Sequence, residues 1–378
     1  MNEHLRQLQS YPKARLDQSK ALVVARGVRV FDFGTGDPAE PTPAFVRRTV
    51  VDAIPDVSEY PSVHGTDELR SAAAHWLEKR FGVGVDPATE VLATAGSMEA
   101  IFHFPMLLVE TGSRRDHVVY GEPAYRVFEI ATHFAEATRH APTLTAEDRY
   151  LLTPEAIGDE VLARTAVVFL NYPHNPSGQE MPAELFERWV AARDEHGFVI
   201  VSDECYCDIY FDEPPRSVLE FGRRGCVAVH TLSKRSGMTG YQTGFLAGDP
   251  EVVAVLRKFR TAMGVATPVW TQAAAAAAWR DVEHVEERRA VFAQKRSILL
   301  GMLEERGHAV YPGTAAMFLW VEVPEGETDH EYAERLLEHG IIVSPGSFFG
   351  AEQARFIRLA LSPGIDECRE AAALWPRD

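Results

Sequence analysis

The sequence predicts an α/β protein, with a mostly parallel sheet in a large domain and a smaller α+β domain after it. Between about residues 44 and 280, apolar runs of strand length alternate with segments of helix length. The runs are apolar throughout instead of alternating with polar residues, which is typical of parallel strands covered by helices on both faces. A chain of 378 residues is also too long for one small core, so its length favours two domains.

The first 43 residues predict a helical arm over about residues 3–25, followed by a short strand with the sequence GVRVFDF. The predicted strands of the large domain are EVLATAG, HVVYGEP, TAVVFLNYP, GFVIVSDE, CVAVHTLS and GFLAGD. Helix-length segments such as SMEAIFHFPMLLVE and AYRVFEIATHFA separate them. This alternation predicts helices on both faces of the sheet.

A long helical pattern begins at about residue 270 and contains an alanine run. We expect a tightly packed helix there instead of disorder, because the run lies inside the helical pattern. Short predicted strands follow around one helix, DHEYAERLLEHG; the strands are AVYPG, MFLWVEV, IIVSPG and RFIRLAL. The sequence therefore predicts a large domain over 44–280 and a small domain that joins 1–43 to 281–378.

Composition excludes several classes of function. The net charge of −17 argues against nucleic-acid and anionic-membrane partners, since both are bound through clustered Lys and Arg. No apolar run approaches the length of a membrane span, and the N-terminal residues lack the apolar core of a signal peptide. The four cysteines suggest no disulfide framework, and Cys205 and Cys207 are more typical of half-buried thiols than of a metal site. We expect a cytoplasmic protein without a metal.

In an open parallel sheet, ligands bind at the carboxyl ends of the strands, so the residues after each apolar run are candidates for a site. Ser97 and Met98 follow EVLATAG in a turn that opens into a helix, where backbone N–H groups and the helix dipole favour a phosphate. Asn175 follows TAVVFLNYP and is suited to a rigid amide contact with a ligand. An ordinary turn is the alternative at each position. A G-x-G-x-x-G fingerprint for a dinucleotide is absent.

Two further apolar runs end in reactive side chains. Asp203 follows GFVIV, and a buried carboxylate is costly unless a cation such as a protonated ring nitrogen pairs with it. Tyr206, three residues later, is able to reach the same ligand. Lys234 follows CVAVH and the hydroxyls of Thr231 and Ser233, and its amine is able to form a Schiff base with a carbonyl ligand. The alternatives are a helix-capping aspartate and a surface lysine.

Together these residues offer a phosphate cradle, a carboxylate for a ring nitrogen, a hydroxyl for the ring and a Schiff-base lysine. Pyridoxal 5′-phosphate needs those contacts, since it withdraws electrons only while its pyridine nitrogen stays protonated. The chain contains six lysines and thirty-two arginines. Because lysine is rare in this chain, a lysine at this strand end favours a functional role. We expect Lys234 to hold the aldehyde of this cofactor and later to move the α-proton of the substrate.

In these motifs the sequence resembles the fold-type I, class I and II, pyridoxal-phosphate-dependent aminotransferases over essentially the whole chain. The resemblance implies that Gly36 in GDPAEPTP contacts the substrate carboxylate and that Tyr125 in GEPAYRVFE stacks on the cofactor ring. Tyr60 in EYPSVHGTDELR would reach the phosphate in a neighbouring subunit, which implies a homodimer with shared sites. Arg358 in VSPGSFFGAEQARFIRLAL would bind the substrate α-carboxylate, the anion that a buried arginine needs.

The same resemblance implies roles for the residues at the strand ends. The phosphate would meet Ser97, Met98, Thr231 and Ser233. Asp203 would pair with the ring nitrogen. Asn175 and Tyr206 would bond the O3′ group of the ring, and Asn175 would also contact the substrate. The domain over 44–280 would therefore bind the cofactor.

One position departs from the family pattern. The family reads S-K-x-x-x-x-x-G-x-R-x-G, and Gln242 occupies the position of its phosphate-binding arginine. A glutamine donates hydrogen bonds but brings no charge to a dianion, so we expect weaker cofactor retention or a compensating cation such as Arg235. A tolerated substitution is the alternative, because other donors already surround the phosphate.

Among these aminotransferases, the segments SDECYCDIYFDE and TLSKRSG are particularly similar to the N-succinyl-LL-diaminopimelate enzymes, which use glutamate in bacterial lysine synthesis. A substrate with extra carboxylates needs further cations, for which Arg15, Lys20 and Arg235 are candidates. A carbon–sulfur β-lyase would use the same residues and would release pyruvate and ammonia. A regulator without catalysis would need a fused DNA-binding domain, and the acidic charge argues against one.

Overall fold

The computed structural model of the protein describes residues 12–110 and 112–377, with the side chains of 12–17 and 19 outside that description. The strands in chain order are β1 (Phe31–Asp32), β2 (Val91–Thr94), β3 (His117–Val119), β4 (Thr138–His140), β5 (Thr165–Asn171), β6 (Val199–Asp203), β7 (Cys226–Thr231), β8 (Gly244–Gly248), β9 (Phe318–Glu322), β10 (Ile341–Ile342), β11 (Ser344–Pro345) and β12 (Phe356–Ala360).

The α-helices in the described part of the chain are α1 (Pro12–Ala25), α2 (Ala44–Asp52), α3 (Asp67–Phe81), α4 (Ser97–Leu108), α5 (Val127–Phe134), α6 (Pro154–Ile157), α7 (Asp159–Leu162), α8 (Ala183–His196), α9 (Leu232–Arg235), α10 (Pro250–Met263), α11 (Val269–Arg280), α12 (Glu283–Glu305), α13 (Asp329–Glu338) and α14 (Ile365–Leu374). Short 3₁₀ turns lie at Val218–Glu220, Thr239–Tyr241, Gly346–Phe348 and Ala351–Gln353.

The central sheet has seven strands in the order β2-β8-β7-β6-β5-β3-β4. The pairs from β7 through β4 are parallel, and β8 runs antiparallel to both of its neighbours. Six strands therefore point the same way, and the prediction of a mostly parallel sheet is confirmed. Because parallel strands are joined by crossovers on the faces of the sheet, the intervening helices cover it on both sides.

Strand β5 shows why its sequence is apolar throughout. All seven of its residues are buried. Val167 and Phe169 pack into a cluster with α4, α5 and α10, whereas Val168 and Leu170 pack into the opposite cluster with α3, α8 and α11. Since successive side chains of a strand point to opposite faces, a strand between two helical layers needs apolar residues at every position.

The C-terminal part of the chain forms a second region around an antiparallel sheet with the order β11-β12-β9. Strand β1 pairs in parallel with β10, Phe31 opposite Ile341, so the N-terminal segment joins this region. A third cluster contains Phe31 and Phe33 together with residues of α12, α13 and α14. This packing supports a small domain built from both chain ends, whereas the boundaries at 43/44 and 280/281 stay a prediction.

The helical pattern after residue 270 forms two helices instead of one. Helix α11 ends at Arg280 and α12 begins at Glu283, and Asp281 between them has extended backbone angles. The Asp281 carboxylate accepts a hydrogen bond from the backbone N–H of His284 at 3.1 Å, so it caps the start of α12. The interruption between α11 and α12 therefore has a local cause. The helical pattern of apolar residues did not reveal it, because that pattern continues across Asp281.

Two smaller expectations also differ from the structure. The segment AVYPG forms only an isolated bridge between Val310 and Val321, not a strand. Cys205 and Cys207 are buried free thiols, more deeply placed than the sequence suggested. Within the described ranges, no helix is both long enough and apolar enough to cross a lipid bilayer.

Candidate active site

The carboxyl ends of the parallel strands meet at one edge of the sheet, where the chain forms a cleft. Asn171, Asp203 and Thr231 are the last residues of β5, β6 and β7. The cleft is lined by twelve residues that the sequence singled out for the site: Gly36, Ser97, Met98, Tyr125, Asn175, Asp203, Tyr206, Thr231, Ser233, Lys234, Gln242 and Arg358. Side chains that lie up to about 320 positions apart in the chain are therefore brought to one site, while their roles stay predictions.

Lys234 extends into the cleft from the one-turn helix α9, which begins directly after β7. Its side chain is 18% exposed, and Nζ lies 3.9 Å from Oδ1 of Asp37. Nζ also donates a hydrogen bond of 2.6 Å to the carbonyl oxygen of Gly36. The alternative of a surface lysine on a loop is therefore wrong, because the amine lies inside the site beside a second predicted residue.

Asp203 is buried, with 3% of its surface exposed. Burial raises the pKa of its carboxyl group to about 6, and hydrogen bonds from Cys205 offset this only in part. Within the described ranges, no Lys, Arg or His lies at ion-pair distance from it. The chain after β6 forms turns and no helix, so the helix-capping alternative does not apply. A carboxylate in this position would be stabilised by a protonated ring nitrogen.

Asn171 is a residue that the sequence analysis missed. Its Oδ1 accepts a hydrogen bond of 3.1 Å from the backbone N–H of Asn175, and its Nδ2 donates one of 3.2 Å to the carbonyl oxygen of Asp203. It therefore fixes two neighbouring strand ends relative to each other. A polar residue that closes a buried apolar strand was the signal that identified Asp203, and the same signal was present here.

Arg358 reaches the cleft from β12, in the other region of the molecule. It is 8% exposed, and its guanidinium donates to Asn175 Oδ1 at 3.0 Å and to the carbonyl oxygen of Gly34 at 2.8 Å. Its Cζ lies 4.4 Å from the ring centre of Phe318 and 4.7 Å from that of Phe349. These acceptors are neutral, so an anionic ligand would add a charge-assisted interaction at this position.

A different part of the cleft offers only uncharged donors. Helix α4 begins at Ser97, after Gly96 with φ +80°. The hydroxyl groups of Thr231 and Ser233 lie 2.9 Å apart. Gln242 has φ +48°, in the left-handed region, and its Nε2 donates to the carbonyl oxygen of Thr239 at 2.8 Å. A helix N-terminus with adjacent hydroxyl groups is suited to a phosphate.

Of the three cations that the sequence proposed near the site, two do not line the cleft and the side chain of the third lies outside the described residues. The Arg235 guanidinium is buried against the Asp208 carboxylate, with an Nε–Oδ2 distance of 2.6 Å, and also bonds the Ala278 carbonyl oxygen. Lys20 bonds Asp32 at 3.1 Å. The side chain of Arg15 lies outside the described residues. Arg235 is therefore wrong as a compensating cation, because its charge is already paired in the core.

Tyr60 does not line the cleft of its own chain. Its side chain is fully exposed, with a relative exposure of 102%. The sequence assigned it to a neighbouring subunit, and its position on the surface is compatible with that. Conversely, the cleft contains Arg126, which the sequence analysis did not single out. Only its position directly after Tyr125 could have drawn attention to it.

The described residues fit pyridoxal phosphate as a cofactor. Lys234 offers an amine, and the buried Asp203 carboxylate offers an acceptor that benefits from a cation. The helix start at Ser97 and the hydroxyl of Ser233 offer phosphate donors in the same cleft. These groups meet the aldehyde, the ring nitrogen and the phosphate of the cofactor, with Gln242 in place of a charged phosphate donor.

The chain matches the family model "Aminotransferase class I and II" over residues 28–373. It is 35% identical over 378 residues to the LL-diaminopimelate aminotransferase of Aquifex aeolicus, covering 98% of this chain and 97% of that one. A solved structure of a probable N-succinyldiaminopimelate aminotransferase from Thermus thermophilus superimposes with a TM-score of 0.89 at 27% identity, covering 96% and 98% of the two chains. Substrate-bound BacF from Bacillus subtilis shares the fold, with a TM-score of 0.93 at 24% identity and 99% and 96% coverage.

We predict that Asp203→Asn stabilises the cofactor-free protein in a pH-dependent way. The folded-state pKa of about 6 lies above the ordinary value of 3.8, so folding favours the protonated carboxyl and the charged form costs stability as pH rises through 6. Removing the charge should raise the free energy of unfolding by about 3 kcal/mol near pH 8 and by little near pH 4. Urea unfolding across this range measures both values.

The control for this experiment is Asp366→Asn, since Asp366 carries a side chain that is 88% exposed. Its effect on the free energy of unfolding should be small, because ion pairs between exposed side chains contribute little to stability. A destabilising Asp203→Asn at high pH would show that the carboxylate is satisfied without a ligand.

Proposed function

The chain belongs to the aminotransferase class I and II family and is a pyridoxal-phosphate-dependent aminotransferase, and from this premise we propose a specific reaction for it. It moves an amino group between an amino acid and a 2-oxo acid, with L-glutamate as one partner. The strongest support is Lys234, whose amine lies in a cleft that also contains the buried Asp203 and Arg358.

The proposed roles are those that the family resemblance implies, and they are supported by the location of these side chains in one cleft. When bound, pyridoxal phosphate supplies an electron sink for the α-carbon of the substrate. Lys234 anchors the cofactor and then, through Nζ, takes and returns the α-proton. Asp203 holds a proton on the ring nitrogen by offering a negative charge. Asn175 and Tyr206 orient the ring through hydrogen bonds, and Tyr125 packs on its face.

We assign the α-carboxylate of the substrate to Arg358. A planar guanidinium binds a carboxylate through two parallel hydrogen bonds, and the low exposure of Arg358 makes these bonds stronger than they would be on the surface. Asn175, which already accepts from Arg358, adds a contact at the same point. The backbone of Gly36 borders this region beside Lys234. The α-carbon would thereby be held within reach of Nζ.

For the substrate we propose a diaminopimelate, as used in lysine biosynthesis. The Aquifex aeolicus relative is named for LL-diaminopimelate, and the Thermus thermophilus structure for the N-succinyl form. The two substrates differ at one end, because succinylation replaces an ammonium group by an amide that carries an additional carboxylate. The higher identity to the LL-diaminopimelate enzyme favours the unmodified substrate, while the sequence motifs favoured the succinylated one.

A homodimer with shared sites is part of the proposal. Tyr60 is fully exposed, and the neighbouring Val51, Ile54 and Val57 are exposed as well, with 68%, 56% and 74% of their surfaces accessible. Clustered exposed apolar residues are typical of a surface that another chain covers. A second copy would bury these side chains and bring Tyr60 to the phosphate of the partner's cofactor.

We predict that L-glutamate alone, without a 2-oxo acid, removes the visible absorption band of the protein-bound cofactor and yields 2-oxoglutarate. Lys234→Ala should abolish this change, because no other described amine lies at that position. With 2-oxoglutarate as acceptor, glutamate formation from LL-diaminopimelate and from its N-succinyl form then identifies the donor. Release of pyruvate and ammonia from a sulfur-containing amino acid without any 2-oxo acid would favour a β-lyase instead.

We predict that Gln242→Arg slows the loss of cofactor on dialysis against cofactor-free buffer. The arginine would bring a positive charge to an otherwise uncharged phosphate cradle, and a charge-assisted hydrogen bond adds roughly 1.5–3 kcal/mol. Cofactor retained over time is read from absorbance, without any activity measurement. Gln242→Met, which removes the donors without adding charge, is the matched control. If wild type and Gln242→Arg retain the cofactor equally during dialysis, Gln242 does not weaken cofactor binding.

We predict that mixing Lys234→Ala subunits with Tyr60→Ala subunits raises activity above that of either variant alone. If Tyr60 acts across the dimer, a hybrid of Lys234→Ala and Tyr60→Ala subunits contains one cleft with Lys234 and a partner that carries Tyr60. Random assortment of subunits should restore roughly a quarter of the wild-type sites. Native mass spectrometry, which resolves the small mass differences between the two subunits, checks that mixed dimers form. No recovery in confirmed hybrids, or full activity of a monomer, would contradict the shared site.

A further inference from the structure

Arg126 is a cation in the cleft for which none of the roles above accounts. It lies between Tyr125 and the start of α5, and it lines the same cleft as Lys234 and Arg358. Among the described lining residues, these three carry the positive charge. The side chain of Arg126 is only 18% exposed, so its guanidinium is drawn toward the protein instead of extending into solvent.

The guanidinium of Arg126 is incompletely paired. Its Nε lies 3.7 Å from Oε2 of Glu129, which is beyond hydrogen-bond distance, and in the described part of the chain it donates no hydrogen bond. Glu129 is 45% exposed and also lies 3.9 Å from the Arg139 guanidinium, whose other partner is Glu122. Arg126 therefore retains its planar set of donors for a ligand, while Glu129 divides its charge between two arginines.

A backbone contact relates Arg126 to Arg358. Ala124, two residues before Arg126, donates a hydrogen bond of 2.8 Å to the carbonyl oxygen of Phe349. The ring of Phe349 packs 4.7 Å from Cζ of Arg358. Phe348 and Phe349 both line the cleft. The two arginines thus border one apolar wall, Arg358 from the C-terminal region and Arg126 from the central sheet.

We infer that Arg126 binds a carboxylate at the far end of the substrate and so determines substrate specificity. This inference rests on the proposed function, in which Arg358 binds the α-carboxylate. The substrate class is then an amino acid with two carboxylates joined by a methylene chain, and the chain lies along Phe348 and Phe349. Bidentate pairing suits a carboxylate at Arg126, and a half-buried site built to bond that carboxylate discriminates against analogues that lack it.

The first measurement is equilibrium binding to the protein reconstituted with pyridoxal phosphate. Isothermal calorimetry compares glutarate, which has a carboxylate at both ends, with pentanoate, which has the same chain length and one carboxylate. Arg126→Gln should weaken glutarate binding by roughly 10- to 100-fold, the loss of one charge-assisted contact, and change pentanoate binding by less than about twofold. Arg126→Lys should fall between wild type and Arg126→Gln.

The control is Arg164→Gln. Arg164 pairs with Asp116 at 2.9 Å and does not line the cleft, and its side chain is 51% exposed. It should leave the affinity for both acids unchanged. Thermal unfolding identifies a variant that folds poorly. If Arg126→Gln does so, the affinities of Arg126→Lys, which keeps the charge, are compared with those of wild type.

Three results would overturn the inference. Equal weakening of glutarate and pentanoate by Arg126→Gln would mean that Arg126 only shapes the cleft. Unchanged glutarate affinity would mean that it makes no contact with the distal carboxylate. Faster cofactor loss on dialysis, with unaltered selectivity between the two acids, would mean that it serves the cofactor phosphate.

The same experiment separates this inference from the proposed reaction. If glutarate binding depends on Arg126 while glutamate leaves the bound cofactor unchanged, the glutamate reaction fails and the role of Arg126 stands. If glutamate reacts and its kcat/KM relative to L-norvaline is the same in wild type and Arg126→Gln, the reaction stands and the role of Arg126 fails.

Discussion

The direction of six strands in the central sheet is the constraint on which the site depends. Parallel strands end at a common edge, so the last residues of β5, β6 and β7 meet although long crossovers separate them in the chain. The side chains at that edge are polar, whereas the strands before them are buried on both faces. Asn171 ties two of the strand ends together through its amide. The rigid sheet therefore sets the relative positions of the groups that the proposed chemistry uses.

The hydrogen bond between Arg358 and Asn175 connects this edge to the C-terminal region. It joins β12 of the antiparallel sheet to the turn after β5, and the rings of Phe318 and Phe349 cover the guanidinium. A ligand carboxylate at Arg358 would contact groups from both regions at once. If Arg358 binds the substrate as proposed, one side chain would link substrate binding to the relative position of the two regions.

The chain uses its buried cations in two distinct ways. Arg235 and Arg80 share the carboxylate of Asp208 in the core, at distances of 2.6 and 3.1 Å, and Arg260 lies 3.1 Å from Glu99. These charges are paired within the protein and stabilise the fold only while both partners remain. By contrast, Arg126 is held loosely by a half-exposed glutamate, and the acidic Asp203 has no cation at ion-pair distance in the described ranges. The site thus contains a positive charge at Arg126 and a negative charge at Asp203 that the protein itself does not closely pair. Such a site is suited to a ligand that carries both a positive and a negative charge.

The sequence by itself indicated the parallel sheet, the small α+β region and many of the residues that line the cleft, including Lys234, Asp203 and Arg358. It did so because burial on both faces leaves a local signature, and because a polar residue directly after such a strand lies at a predictable edge. Only the tertiary structure decided the partner of Arg235, the contacts of Asn171 and the entry of Arg126 into the cleft. Those depend on which distant group lies opposite each side chain, and periodicity along the chain carries no information about that. The break at Asp281 was missed for a related reason, since a capping carboxylate acts through backbone geometry and leaves the apolar pattern intact.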